Sequence, residues 1–321
     1  MKLTVRKIAA EAHTSAATVS RYLTGAVRVS DELSERIDAA VEKLGGQACR
    51  KDCKRYVFVL MTQMSFSFYG QALKELFSRE TSYHFVLIHY DPAAPDILKN
   101  FVTRFKPIGA IYFEEEIDGA ILSYLEGRGV RTVMLGGTAP YAGSDMVRVN
   151  DLAAAYAGTN YLLGLGHRKI LFLSDEVRKI SSGFLRIAGC KKALEENGLS
   201  MDEASVYYRE VTFWAGYEAV TEALKNGVSF TAVFAFSDEL AVGAMAALYD
   251  AGLSVPNDVS VLGYDDLEIA EQVRPALTTI HQPIDLFVQK AIGLFDEPQQ
   301  PMHTEILLPY SIKERSSCRP V

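Results

Sequence analysis

The chain has 321 residues, 49% hydrophobic and 23% charged, the balance of an ordinary globular protein of two or three domains. No apolar run reaches the ~18 residues of a membrane span, and the run at Ile8, Ala9 and Ala10 is stopped by Glu11 before it can act as a signal peptide. Four cysteines make no disulfide framework, so a cytoplasmic protein with no membrane partner is expected. Net charge is −7, yet residues 1–55 hold 11 Lys+Arg against 7 Asp+Glu, a net +4 that leaves −11 on the remainder. A small basic head on a large acidic body is the asymmetry of a protein whose head alone meets a polyanion.

In chain order, "TVRKIAAEA" (4–12) opens on Thr4, a good N-cap, and sets Val5, Ile8, Ala9 and Ala12 on one helical face. His13-Thr14 breaks the pattern. Ser15 caps a second helix whose Val19, Tyr22 and Leu23 face inward and which Gly25 can end; Ser30 caps a third, with Leu33, Ile37, Ala40, Val41 and Leu44 at spacings of three and four. Three short helices, the first two joined by a tight turn, predict a helix-turn-helix unit. The second helix is slim: small residues at Ser15, Ala16, Ala17, Thr18 and Ser20 let its backbone approach a DNA groove. There Arg21 can give guanine O6/N7 two parallel hydrogen bonds. Thr4, Ser15, Thr18, Ser20 and Arg28 suit phosphate contacts, Ala16 and Ala17 suit a thymine methyl, and Thr24 completes the candidate DNA-binding set. A small helical cap with an incidental arginine is the alternative.

These residues carry a resemblance. "A-T-V-S-R-x-L-x-G", the "V-S" opening helix three and the closing "LG" make residues 4–45 similar to the DNA-binding head of the lactose/galactose repressor family (LacI/GalR). The resemblance implies an operator-binding transcription factor. His13-Thr14 stands where the family usually has Gly-Val, in a left-handed turn position that His tolerates better than most residues. The basic linker "QACRKDCKR" (47–55) is shorter than the family's and lacks its proline and leucine, so neither hinge-helix intercalation nor operator bending is carried over. Cys49 and Cys53, four apart with no His near, read as reduced thiols ahead of a redox or metal switch.

From Tyr56 the chain alternates apolar runs with amphipathic stretches. Strands are predicted at 56–61, 84–90, 108–113 and 131–136, with helices at 68–80, 95–106 and 117–128 between them. After strand "MVRVN" come helix 151–164, strand 169–173, helix 182–197, strand 205–208, helix 213–226, strand 231–235, helix 238–251 and strand 259–262. The βαβα rhythm predicts parallel sheets covered by helices, and the length predicts two lobes with a ligand cleft at the C-terminal strand ends. "LGLGHRKI" (163–170), "RIAGCKKAL" (186–194), residues 231–266 and "PALTTIHQP" (275–283) resemble the ligand-binding core of the same family, which is related to periplasmic sugar-binding proteins; residues 56–150 match by rhythm alone. The fold class is therefore α/β: a three-helix head (1–46), a linker (47–55) and a two-lobed periplasmic-binding-protein-like body (56–321). Lobe 1 is expected at 56–150 and 282–309, lobe 2 at 151–281 and 310–321.

No catalytic motif is present: G-x-x-x-x-G-K-[ST], H-E-x-x-H, G-x-S-x-G and a complete G-x-G-x-x-G are all missing. His167 in a turn and His281 after a strand read as structural, and "FEEE" (113–116) as a solvated loop. No enzyme, cofactor or metal is expected. Asp151, Arg186, Asp238 and Asp265 lie on the cleft side near strand ends, where the resemblance places the family's ligand-contacting residues. Asn150 and Ser237 are adjacent candidates, and a helix N-cap or ion pair is the alternative for each. Carboxylates and a guanidinium suit vicinal hydroxyls. The aromatic platform a sugar ring needs would come from Phe213 or Trp214, or from Phe66 or Phe68. The resulting expectation is a sugar-responsive, allosteric repressor that binds a pseudo-palindromic operator as a homodimer, its effector a neutral mono- or oligosaccharide in preference to a purine. The rivals are a non-catalytic sugar-binding protein, and a family member whose DNA binding no ligand controls.

Overall fold

The structure, a computed structural model, describes residues 4–23, 29–44, 55–62, 67–113, 118–137, 144–175, 181–298 and 303–321. The linker cysteines Cys49 and Cys53, and with them Thr24, Arg28, Phe66 and the glutamates of 114–116, lie outside these residues. The chain divides into two compact units, residues 1–56 with 81–84, and residues 57–80 with 85–321.

The first unit begins with α1 (Val5–Glu11), α2 (Ala16–Leu23) and α3 (Asp31–Lys43). Thr4 has the extended backbone of an N-cap (φ −121°, ψ 143°), but its hydroxyl makes no capping bond. Ser15 caps α2 through Oγ, which accepts the Thr18 N–H at 3.0 Å, and Ser30 accepts the Leu33 N–H at 3.4 Å to start α3. Ile8, Ala9, Ala12, Val19, Ile37, Ala40 and Val41 form the core, with Tyr22 and Leu23 packed on its rim. His13 takes the left-handed turn between α1 and α2, at φ +49°. That conformation is unfavourable for a residue with a Cβ. Arg36 from α3 holds it from outside, its Nη2 donating to the carbonyls of Ala12 (2.8 Å) and His13 (3.2 Å).

From Arg55 onward the chain builds two sheets, which lie in the second unit apart from the first two residues of β1 and of β2, and the elements follow the predicted rhythm closely. β1 (Arg55–Met61), α4 (Ser67–Ser78), β2 (Tyr83–His89), α5 (Pro95–Phe105), β3 (Gly109–Tyr112), α6 (Gly119–Glu126), β4 (Arg131–Leu135) and β5 (Asp145–Val149) build lobe 1. Then α7 (Asp151–Gly164), β6 (Ile170–Ser174), α8 (Ser182–Glu196), β7 (Val206–Tyr208), α9 (Phe213–Lys225), β8 (Ala232–Ala235), α10 (Asp238–Asp250) and β9 (Ser260–Asp265) build lobe 2. Beyond 262 the structure adds α11 (Glu268–Gln272), β10 (Thr278–His281), α12 (Ile284–Leu294), β11 (Glu305–Leu308) and β12 (Ser311–Lys313). His281 thus ends β10 instead of following it.

Among the described residues the strand orders are β11-β5-β4-β3-β1-β2 and β12-β10-β9-β8-β6-β7. β5, β4, β3 and β1 pair in parallel, and so do β10, β9, β8, β6 and β7; β12 joins β10 antiparallel. The chain leaves the first sheet after β5, returns after β10 to lay α12 and β11 there, and crosses again into β12. Alternate strand residues face opposite helix layers. Leu171, Leu173, Val233 and Val261 pack with Ala219, Leu240 and Leu248, whereas Ile170, Phe172, Phe234 and Leu262 pack with Leu162, Ile187 and Leu194. A strand buried on both faces has no polar side to show, which is why these segments read as unbroken apolar runs. In lobe 1 a buried ion pair, Arg131 Nε to Asp145 Oδ2 at 2.6 Å, ties β4 to β5, and Arg131 Nη1 also donates to the carbonyls of Leu294 and Glu297 at the end of α12.

Candidate functional site

Each unit holds one set of the candidate residues. In the first, helix formation puts Val19 fully inside and leaves Ser15, Ala16, Ala17, Ser20 and Arg21 exposed, with Thr18 partly so. Because 3.6 residues make a turn, anchoring α2 by Val19 and Leu23 turns the small residues outward together. Thr4 is exposed at the start of α1. The result is a short helix with little side-chain bulk and one guanidinium on its outer surface.

In the second unit, Asp151, Arg186 and Asp265 come together around a residue that no sequence signal marked, Tyr264. Asn150 caps α7 by accepting the Ala153 N–H at 3.0 Å, which sets Asp151 in the first turn, 2% exposed. Arg186 Nε donates to Asp151 Oδ1 at 2.8 Å, and Nη1 to the Phe236 carbonyl at 2.7 Å. The Tyr264 hydroxyl donates to the same Asp151 oxygen at 3.1 Å, while the guanidinium lies over the Tyr264 ring, 3.7 Å from its centroid. A flat cation is thus fixed on three sides by a carboxylate, a carbonyl and a π-face. Burial works against the Arg186 charge, but Asp151, Tyr264, Asp265 and Asp175 outweigh it and hold the pKa well above the ordinary value. Burial, then Asp151, pushes the Tyr264 hydroxyl well up, so it stays a donor.

Asp265 stands in an unusual turn. Its φ is +111° and that of Asp266 is +63°. Non-glycine residues at such angles cost ~1–3 kcal/mol each and persist only where neighbours enforce them. Four neighbours do so. Gln282 Nε2 donates to Asp265 Oδ1 at 2.7 Å. Asp266 receives Arg315 Nη2 at 2.6 Å and lies 2.8 Å from His281 Nδ1. The Leu267 N–H donates to Asp238 Oδ2 at 2.7 Å. Burial pushes the Asp265 carboxyl up to about 7, with Arg186 pulling the other way.

Asp238 has a different task from the one its strand-end position suggested. It is 0% exposed, and both oxygens are engaged, Oδ2 by Leu267 N–H and Oδ1 by the Thr279 hydroxyl at 2.6 Å. Gly263 leaves the room it needs, since a Cβ there would come within 2.3 Å of Asp238 Oδ1. Asp238 therefore fastens the 265–267 turn from beneath and offers no oxygen outward. Ser237 is the N-cap of α10, accepting the Leu240 N–H at 3.1 Å. Phe213 meets Trp214 edge-on at 5.1 Å at the start of α9, and Phe68 packs edge-on against Tyr69 and Phe287. His167 is buried between Thr231 (2.9 Å) and Ser260 (3.0 Å), a structural arrangement whose burial lowers its pKa.

Tyr264, Gln282 and Asp175 are the site residues that sequence reasoning passed over. Tyr264 is one apolar letter in a strand buried on both faces, and Gln282 reaches Asp265 only because β10 lies beside β9. Asp175, directly after β6, had the same strand-end signal as Asp238 and could have been found by it.

Comparisons with known proteins follow the same division. Residues 4–45 match the family described as bacterial regulatory proteins, lacI family, and residues 159–318 match a periplasmic binding protein-like domain. The chain is 27% identical to the HTH-type transcriptional regulator GalR of Escherichia coli (strain K12), over 99% of this chain and 96% of that protein. It is 28% identical to the ribose operon repressor of the same organism, over 91% of each. Among solved structures it is similar to a transcriptional regulator CelR–cellobiose complex (TM-score 0.74, 25% identity, 98% of this chain and 100% of that one). It is also similar to a LacI family transcriptional regulator from Enterococcus faecium with bound ribose (TM-score 0.74, 27% identity, 83% and 99%).

Proposed function

We propose that this chain, which belongs to the LacI family of bacterial regulatory proteins, is a sugar-responsive transcriptional repressor that binds a pseudo-palindromic operator as a homodimer. The observation that carries the reading is the exposed face of α2, small residues around Arg21, in one chain with the fixed Arg186–Asp151–Tyr264 group. Arg21 reads a guanine from the major groove; Ser15, Thr18, Ser20, Thr4 and Arg28 take phosphates; Ala16, Ala17 and Thr24 line the groove. In the body, Arg186, Asp151 and Asp265 meet the hydroxyls of a sugar, and the cellobiose and ribose of the similar structures favour that class. Asn150, next to Asp151, and Phe213 at the start of α9 complete the proposed effector-binding set.

A second copy fits lobe 1, where Phe77, Leu87, Ile97, Phe101 and Phe105 are exposed along edge strand β2 and its flanking helices α4 and α5. A two-fold dimer places two α2 helices on two half-sites. Coupling runs through the lobes. α4 touches lobe 2 through Ser67, which donates to Glu239, and through Lys74, 2.6 Å from Glu268. A sugar that favours one relative setting of the lobes shifts the heads, and operator binding shifts sugar affinity by the same factor.

The test is fluorescence anisotropy with DNA from upstream of the protein's own gene, at ~0.15 M salt, with and without a sugar panel and against a scrambled duplex. Specific binding that one sugar alters supports the reading. Specific binding that no sugar alters leaves a DNA-binding protein without ligand control, and equal binding to both duplexes removes the operator role. Arg21→Ala should weaken operator binding by about 1–3 kcal/mol and leave non-specific binding nearly unchanged. An equal loss on random DNA would make Arg21 a phosphate contact.

A further inference from the structure

We infer that Arg36 is a positioning residue for operator reading: its guanidinium clasps the left-handed turn at His13 and so fixes the direction in which α2 leaves α1. This role rests on the operator-binding reading above and adds to it a residue that reads no base itself. α1 ends at Glu11 and α2 begins at Ala16, so four residues reverse the chain. The turn closes α1 in the pattern usual for a glycine. The Thr14 N–H donates to the Ala9 carbonyl at 2.9 Å and the His13 N–H to that of Ala10 at 3.3 Å, with His13 in the left-handed position at φ +49°. A side chain there is unfavourable, because its Cβ crowds the backbone.

Two carbonyls at the end of α1, those of Ala12 and His13, are met from α3. Arg36 Nη2 donates to both, at 2.8 and 3.2 Å. A cation at a helix C-terminus is favourable in its own right, and here one guanidinium nitrogen bridges the strained residue and the residue before it. Arg36 and Lys43 are seven apart and share a face of α3, so α3 grips α1 twice; Lys43 Nζ lies 2.6 Å from Glu11. α2 is tied to α3 at its other end, where the Tyr22 hydroxyl donates to Asp38 Oδ2 at 3.0 Å.

Geometry makes the clasp matter for recognition. Ser15, the cap of α2, follows His13 by two residues, so the backbone angles at His13 aim the whole of α2. Arg21 lies five residues beyond the first residue of α2, about 8 Å along a helix rising 1.5 Å per residue. A swing of about 10° at the turn then moves Arg21 by about 1 Å, enough to spoil a two-bond fit to one guanine. Phosphate contacts tolerate such a swing better, because a charge needs no exact angle. Loss of the clasp should therefore cost specific binding more than non-specific binding.

Fluorescence anisotropy on the full chain tests this, with the upstream duplex and the scrambled duplex, in a salt series around ~0.15 M. Four proteins are compared: the unaltered chain, Arg36→Met, His13→Gly and the double variant. Arg36→Met is expected to weaken binding to the upstream duplex by about three- to thirtyfold. It should leave the scrambled duplex and the salt slope nearly unchanged. His13→Gly should bind as the unaltered chain does, and the double variant should recover most of the lost affinity, since glycine holds a positive φ without a clasp. A salt slope shallower by about one, with equal loss on both duplexes, would make Arg36 a phosphate contact and overturn the inference. So would a double variant as weak as Arg36→Met, or an Arg36→Met that binds unchanged. Should Arg36→Met leave the head unfolded by circular dichroism, the double variant decides: recovery of fold and operator binding supports the clasp, and failure overturns it. If the unaltered chain does not prefer the upstream duplex, the operator reading falls and the inference with it.

Discussion

Asp265 shows how single residues set the chemistry here. Its positive φ is held by Gln282 and, through the next residues, by Asp238, Arg315 and His281. Since burial raises its pKa from 3.8 to about 7, the folded chain binds a proton that the unfolded chain releases. That contribution to stability is fully present below about pH 4 and is lost as pH rises through about 7. Urea unfolding at about pH 5 and about pH 8 should therefore show a larger loss for the unaltered chain than for Asp265→Asn. Equal losses would mean Asp265 titrates normally. Asp238 calls for a different experiment. Burial raises its pKa well above the ordinary value, so a neutral isostere should suit the site. Asp238→Asn is expected to leave stability nearly unchanged. Asp238→Ala strands the Leu267 N–H and the Thr279 hydroxyl and should cost about 1–3 kcal/mol in the same assay.

At the level of elements, the helix pairs of lobe 2 cross almost backbone to backbone. A Cβ on Gly243 would lie 1.9 Å from the Phe213 carbonyl, one on Gly216 2.2 Å from that of Leu240, and one on Gly189 2.1 Å from that of Leu152. These contacts bring α9 onto α10 and α8 onto α7, and the latter pair carries Arg186 and Asp151. Gly243→Ala must push α9 from α10 and should lower stability by about 1–3 kcal/mol. Gly189→Ala should do the same and weaken sugar binding as well, because it moves Arg186 relative to Asp151; calorimetry on both variants separates the two effects. Their sequence signal was faint. A glycine inside a helix reads first as a weak helix former, and only the neighbouring helix shows what the missing Cβ is for.

For the whole molecule, the question is what lobe 1 does with its exposed apolar side chains. Ile97 is 56% and Phe77 51% exposed, and Phe101 stacks on Phe105 at 5.9 Å. Exposed apolar side chains beside β2, an edge strand among the described residues, suit the association proposed above. If the chain dimerises through this face as proposed, Ile97→Glu is expected to lower the sedimentation coefficient toward that of a monomer and to weaken operator binding. A dimer that persists would place the interface elsewhere.

Much was readable from the sequence because it rests on local physics. Apolar spacing and caps gave the head its three helices, with Ser15 and Ser30 in their expected capping roles and His13 in the left-handed turn. The β–α rhythm placed most elements to within a residue or two, and Asn150 starts α7 where the pattern began. Composition alone divided a basic head from an acidic body. The tertiary structure decided how each polar residue is partnered and which ones are sealed. Asp238 and Asp265 both stand near strand ends, and nothing local separates them. One is sealed by Leu267 and Thr279, the other turned by a positive φ and held by Gln282. Those partners are 17 to 41 residues away, or 29 along the chain for the Asp238–Leu267 bond. A carboxylate's role follows from which donors reach it and how much water remains. Both are set by the packing of β9, β10 and α10, which no window of sequence contains.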